Sequence, residues 1–110
     1  MGFFSRLFGG DVPTMSPAQA KKRLDTAVVL DVREPNEYAT GHLPGAVLLP
    51  LGTIDADSAA RVIPTKDSEV LVYCRSGARS RRAVRRLLEL GYTQAVNIGG
   101  ITSWPYETER

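Results

Sequence analysis

The sequence predicts an α/β domain built on a mainly parallel sheet with helices on both faces. Three observations predict it. Short apolar runs rich in β-branched residues alternate with segments whose apolar residues recur at helical spacing. No hairpin signal joins one strand run to the next, so the connections must cross over. Val70 to Tyr73 is a continuous apolar run, as expected of a parallel strand covered on both faces.

The elements follow in chain order. Residues 1–10 stand apart from the domain, which is read as 11–110. Phe3, Phe4, Leu7 and Phe8 can share one face of a short helical turn that Gly9-Gly10 ends. The stretch is too short, and wrongly flanked, for a signal peptide, and Arg6 breaks the myristoylation pattern. It is read as a Phe-rich tail, with weak membrane contact as the less favoured alternative. Val12 to Met15 is read as a short first strand. Ser16-Pro17-Ala18-Gln19 is a capping box with Pro at the first helical position, so a helix is expected over Pro17 to Leu24. Ala27 to Val32 is the second strand. Pro35 to Thr40 makes one or two helical turns that Gly41 closes. His42 to Gly45 turns the chain, Ala46 to Leu49 is the third strand, and Asp55 to Val62 is helical. Glu69 to Tyr73 is the fourth strand. Ser80 is the expected N-cap of a helix over Arg81 to Gly91, which buries Ala83, Val84, Leu87 and Leu88. Gln94 to Ile98 is the fifth strand, Gly99-Gly100 a turn, and Pro105 limits any final helix.

Composition narrows the function. A chain of 110 residues, 24% charged and 43% hydrophobic, makes one globular domain. A single cysteine excludes an internal disulfide and any cysteine-cluster metal site. A single histidine, His42, argues against a histidine metal site or a His-based triad; it is read as a turn residue. No cofactor or metal is expected, and no glycine pattern suggests nucleotide binding. No apolar run reaches membrane-spanning length, and a cytoplasmic location is expected. The net charge is +2, yet residues 75–86 hold six arginines and no acid, leaving the rest at −4 (2 − 6). No aromatic residue interleaves that arginine strip, so nucleic acid is not an expected partner.

The chemistry concentrates at Cys74. It lies at the carboxyl end of a predicted strand, with six residues between it and the helix predicted at Arg81. Open α/β sheets bind their ligands there. Backbone N–H groups of such a loop converge on an anion, and the helix N-terminus adds positive potential. Arg75 and Arg79 add two full charges. A free thiol titrates at about 8.5, and this setting favours the thiolate. Phosphatases that use a cysteine share the arrangement, but they place five residues between Cys and Arg. Here Arg75, Ser76, Gly77 and Ala78 make four, a smaller loop that suits one sulfur better than a phosphoryl group. Asp55 and Asp57, nominal general acids for phosphoryl transfer, have no motif behind them.

Four blocks together identify a family. They are Asp31-Val-Arg-Glu-Pro-Asn-Glu-Tyr38, Gly41-His-Leu-Pro-Gly-Ala46, Cys74-Arg-Ser-Gly-Ala-Arg-Ser80 and Gly99-Gly-Ile-Thr-Ser-Trp104. In this order, from about Val12 to Trp104, they resemble a single-domain rhodanese, a thiosulfate sulfurtransferase. Ser103 stands where the last block often has Ala, and Pro105 where the helix often continues. The resemblance implies a five-stranded sheet of order 1-5-4-2-3. It implies that Cys74 takes a sulfane sulfur from an anionic donor such as thiosulfate and holds it as a persulfide. The sulfur then passes to cyanide, a thiol or a protein partner. Arg75, Ser76, Gly77, Ala78 and Arg79 are the expected substrate-binding residues. Gly77 allows the loop to curl, Arg75 points outward, and both arginines attract the donor. Asp31, Arg33 and Ser80 are expected to support the loop, the first two as an ion pair. Trp104 is expected to pack over the sheet edge. A persulfide carrier or docking module is the alternative to a free-standing enzyme.

Overall fold

The computed structural model describes residues 11–110; the expected tail over residues 1–10 lies outside them. Four parallel strands run β1 (Val28–Asp31), β2 (Val47–Leu48), β3 (Glu69–Cys74) and β4 (Gln94–Gly100), in the sheet order β2-β1-β3-β4. Four helices lie between and before them: α1 (Pro17–Lys21), α2 (Pro35–Ala39), α3 (Ala56–Val62) and α4 (Ala78–Glu89). Short 3-10 turns cover Leu51–Thr53 and Ile101–Ser103.

The expected five strands in the order 1-5-4-2-3 are therefore corrected to four. The segment expected as a first strand makes one parallel bridge, Thr14 to Asn97, on the free edge of β4. Two hydrogen bonds form it: Asn97 N–H donates to the Pro13 carbonyl at 2.9 Å and Met15 N–H to the Asn97 carbonyl at 3.0 Å. Pro13 brings no N–H of its own, and Ser16 already caps α1, so the ladder cannot lengthen in either direction.

Period-two alternation along β3 divides the core. Val70, Val72 and Cys74 face one side with Leu30, Val32, Ala83, Val84 and Leu87. Leu71 and Tyr73 face the other with Val29, Leu43, Val96, Ile98 and Trp104. α4 packs on the first side and buries Ala83, Val84, Leu87 and Leu88, as their spacing requires. Each large apolar side chain so buried contributes about 1.5–3 kcal/mol. Gly91, at φ +101, stops the helix in a conformation other residues rarely adopt.

Two boundaries shift. The helix after the cysteine loop starts at Ala78, with Gly77 as its N-cap at φ +106, rather than after Ser80. Ser80 lies inside the first turn, fully buried, because its hydroxyl is engaged elsewhere. β4 keeps register with β3 up to Val72–Asn97, then shifts so that Tyr73 faces Gly99. Ile98 is the extra residue of this bulge, and Gly99 at φ +96 absorbs it. The bulge re-aims the end of β4 under the cysteine loop.

Candidate functional site

β3 delivers Cys74 to the carboxyl edge of the sheet, and the next three residues fold back over its sulfur. Cys74 is buried, 1% exposed. The Gly77 N–H donates to Sγ at 3.0 Å, and the Ser80 hydroxyl lies at 3.5 Å. The backbone N–H groups of Ser76 and Ser80 also act on the sulfur. Burial alone pushes the thiol up. The Ser80 hydroxyl and the three backbone donors outweigh it and hold the thiol below its ordinary value. The arrangement is a cradle for one anionic sulfur at a helix N-terminus.

Two neighbouring segments hold the loop in place. The Arg75 carbonyl accepts from the Thr102 N–H at 3.2 Å and the Thr102 hydroxyl at 2.9 Å. Gly100 lies directly beneath: a Cβ there would fall onto the Arg75 carbonyl oxygen and within 2.5 Å of Ser76 Cα. Its φ of −122° suits any residue, so close approach, not a turn, demands glycine.

The predicted residues divide into two groups. Ser76, Gly77, Ala78, Arg79 and Ser80 gather with Arg75 around the sulfur. Arg75 and Ser76 are exposed, and Arg79 is partly so. Arg79 is not a free cation. Its two terminal nitrogens donate to Glu37 of α2 at 2.8 and 2.9 Å. That guanidinium, with the Glu34 N–H, holds the Glu37 carboxyl down at about 2. Asp31 and Arg33 form the expected ion pair, at 2.7 Å and almost wholly buried, and Arg33 lines a shallow cleft with Glu37, Arg75 and Thr102 beside the cysteine loop. Their hydrogen bonds serve the opposite face of the sheet. The Tyr73 hydroxyl donates to Asp31 at 2.7 Å and accepts from Leu43 N–H at 3.0 Å, while Arg33 donates to the Gly41 carbonyl. Burial first, then the Asp31 carboxylate, push the Tyr73 phenol far above its usual range. The pair thus fixes the turn over residues 41–43, where His42 stacks on Tyr38 at 4.0 Å. Trp104 packs with Ile98 and Val96 and meets Tyr106 edge-on at 5.1 Å. Asp55 accepts from Ser58 N–H and caps α3, which occupies the carboxylate considered as a general acid. Among the described residues no cluster of His, Cys, Asp and Glu could hold a metal. No helix of the described residues is long and apolar enough to cross a membrane.

Asn97, Thr102, Gly100 and the Glu37–Arg79 pair escaped the sequence reading. Asn97 carried a signal, a polar residue inside the apolar run Ala95 to Ile98. The Glu37–Arg79 pair carried none, since the partners are 42 residues apart.

Comparison with known proteins agrees with this geometry. A family model described as Rhodanese-like domain matches residues 16–106. A sulfurtransferase of Allochromatium vinosum is 37% identical over 95 residues, covering 86% of each chain. A putative sulfur carrier protein of Bacillus subtilis, YrkF, is 33% identical over 89% of this chain, which spans only 54% of that longer protein. Among solved structures, a human single-domain sulfurtransferase, TSTD1, superposes with a TM-score of 0.73 at 27% identity. That match covers 84% of this chain and 95% of the other.

Proposed function

This chain belongs to the rhodanese-like domain family, and from that premise we propose that it moves a sulfane sulfur through a persulfide on Cys74, with thiosulfate as a competent donor. One observation carries the reading: the Cys74 sulfur sits inside converging donors from Ser76, Gly77 and Ser80. The Cys74 thiolate attacks the outer sulfur of thiosulfate. The new S–S bond forms as the donor's S–S bond breaks, and the electron pair leaves with sulfite. The protein keeps the sulfur as a persulfide anion. Cyanide or a thiolate then attacks that outer sulfur, and the bond electrons return to Cys74. The loop donors favour the thiolate over the thiol, and the attack itself transfers no proton. The same backbone donors stabilise thiolate and persulfide in turn. Arg75, exposed at the rim, supplies the positive charge that attracts the donor. Arg79 stiffens the rim through Glu37 and contributes less net charge than its side chain alone would.

Delivery to a protein acceptor is the second reading, supported by the carrier described in Bacillus subtilis. Intact-mass measurement tests the chemistry shared by both. Thiosulfate adds one sulfur to the purified protein, and cyanide removes it as thiocyanate. Cys74→Ser takes up none. Thiocyanate formation by Cys74→Ser at the wild-type rate refutes the proposal. Faster sulfur loss to cell-extract proteins than to cyanide at equal acceptor concentration favours the carrier.

A further inference from the structure

Asn97 is a buried amide on β4, on the sheet face that carries the sulfur, and it joins three parts of the site. Its Oδ1 accepts from Ser80 Oγ at 2.7 Å and from Gly99 N–H at 2.9 Å, and its Nδ2 donates to the Gly77 carbonyl at 3.2 Å. These partners fix the amide's orientation. The Gly99 N–H can only donate, so an oxygen must face it, and the Gly77 carbonyl can only accept.

The serine between Asn97 and the sulfur has one hydroxyl proton. Four acceptors surround it: Asn97 Oδ1 at 2.7 Å, the Gly77 carbonyl at 3.1 Å, the Gly99 carbonyl at 3.3 Å and Cys74 Sγ at 3.5 Å. The sulfur is the most distant and the only one that becomes charged. A hydrogen bond to an anion is roughly twice as strong as one to a neutral carbonyl. Without Asn97 Oδ1 the proton therefore goes to the thiolate rather than to either backbone carbonyl.

We propose that Asn97 is a positioning residue that competes with Cys74 for the single Ser80 proton and so sets how strongly the sulfur is held as an anion. With Asn97 in place the thiolate shares the Ser80 proton with that amide, is held besides by backbone donors, and remains a ready nucleophile. With Ser80 fully committed to it, the sulfur would be more completely ionised and less reactive per anion. The inference rests on Cys74 being the nucleophile, but its readout is the thiol's own titration, which can be measured whether or not the protein transfers sulfur.

The charged groups near the sulfur stay constant in the test. They are Arg79 of α4, held by Glu37 of α2, and Arg75 of the loop. β4 carries no ionisable side chain, and the one in β1, Asp31, points to the opposite face. The experiment is the pH dependence of iodoacetamide alkylation of Cys74 in wild type, Asn97→Ala, Ser80→Ala and the double variant. Asn97→Ala lowers the thiol pKa by about 0.7 unit, a roughly fivefold gain in thiolate below the pKa. In the Ser80→Ala background the same substitution leaves the thiol pKa in place. Asn97→Asp, nearly isosteric, keeps Oδ1 facing Ser80 and Gly99 but sets an oxygen against the Gly77 carbonyl; it raises the thiol pKa, and more so with Ser80 present than without it. Equal shifts in both backgrounds, or a rise in Asn97→Ala, overturn the proposal. Loss of the fold in both Asn97 variants overturns it too, since Asn97 would then be a strand anchor.

Discussion

Replacing Gly100 by alanine isolates the close approach between β4 and the cysteine loop. The backbone at Gly100 is ordinary for alanine, so the added methyl acts only through space. It lands on the Arg75 carbonyl and 2.5 Å from Ser76 Cα, both rigid backbone. Ordinary contact starts at 3.4 Å, so loop and strand must part by at least 0.9 Å (3.4 − 2.5), and the Arg75 oxygen demands more. Overpacking of this kind costs about 1–3 kcal/mol, sometimes more. The functional cost should be larger. Carried onto the Gly77 N–H, that displacement breaks its 3.0 Å bond to the sulfur. Misplacement by about 1 Å costs on the order of a hundredfold in rate. Gly99→Ala is the control. Its φ of +96 charges a comparable backbone penalty of about 1–2 kcal/mol, but no atom lies within 4 Å of the new methyl. Thiosulfate:cyanide turnover, alkylation pH profiles and thermal melts read all three proteins. Gly100→Ala should lose most of its rate and show a raised thiol pKa. Gly99→Ala should lose stability while keeping most of its activity. Wild-type turnover in Gly100→Ala, or equal inactivation of both variants, would refute the argument.

Three further outcomes are expected. Glu37→Gln should cost on the order of 1 kcal/mol near neutrality, the scale of a half-exposed bidentate pair after solvent screening. The Glu37 carboxyl is depressed to about 2 in the fold, so its contribution is complete above its ordinary value of 4.5 and fades as pH falls toward 2; a stability gap unchanged between pH 7 and pH 2 contradicts the pair. Tyr73→Phe should cost about 1–3 kcal/mol in urea titrations, because Leu43 N–H loses its acceptor and Asp31 one donor, with turnover nearly unaffected; an inactive, fully stable variant would place that network in catalysis. Leu87→Ala, at a fully buried position of α4, should cost about 2–5 kcal/mol without moving the thiol pKa in protein that remains folded.

Much of this fold could be read from local pattern, because local pattern formed it. The apolar run Val70 to Tyr73, the helical spacing from Ala83 to Leu88 and the capping box at Ser16 each need only neighbours within a few residues. Cys74 was legible for the same reason, as a lone thiol between a strand and a helix start. What failed depended on contacts distant in sequence. Val12 to Met15 has strand composition, but its pairing ends where Pro13 and the α1 cap leave no further N–H to share. Ser80 has cap chemistry, but Gly77 takes the cap and frees that hydroxyl for Asn97 and the sulfur. The pairing of Arg79 with Glu37 has no signal nearby in sequence. Gly99-Gly100 looked like one turn, yet the first glycine absorbs a bulge and the second makes room for a loop from another strand.

Cys74 belongs to the apolar cluster beneath α4 as fully as Val72 or Ala83 does. The atom proposed to react is thus also an atom of the core, and whatever changes its ionisation changes the folding equilibrium with it. Its acidity is enhanced in the native state, so ionisation adds stability at pH above the unfolded thiol's range. That contribution disappears as pH falls through the lower native value. If Cys74 carries the sulfur as proposed, loaded and unloaded protein should differ in melting temperature, which would give a label-free reporter of turnover. Thermal shift can therefore follow loading and discharge with any donor or acceptor, including those whose products absorb no light.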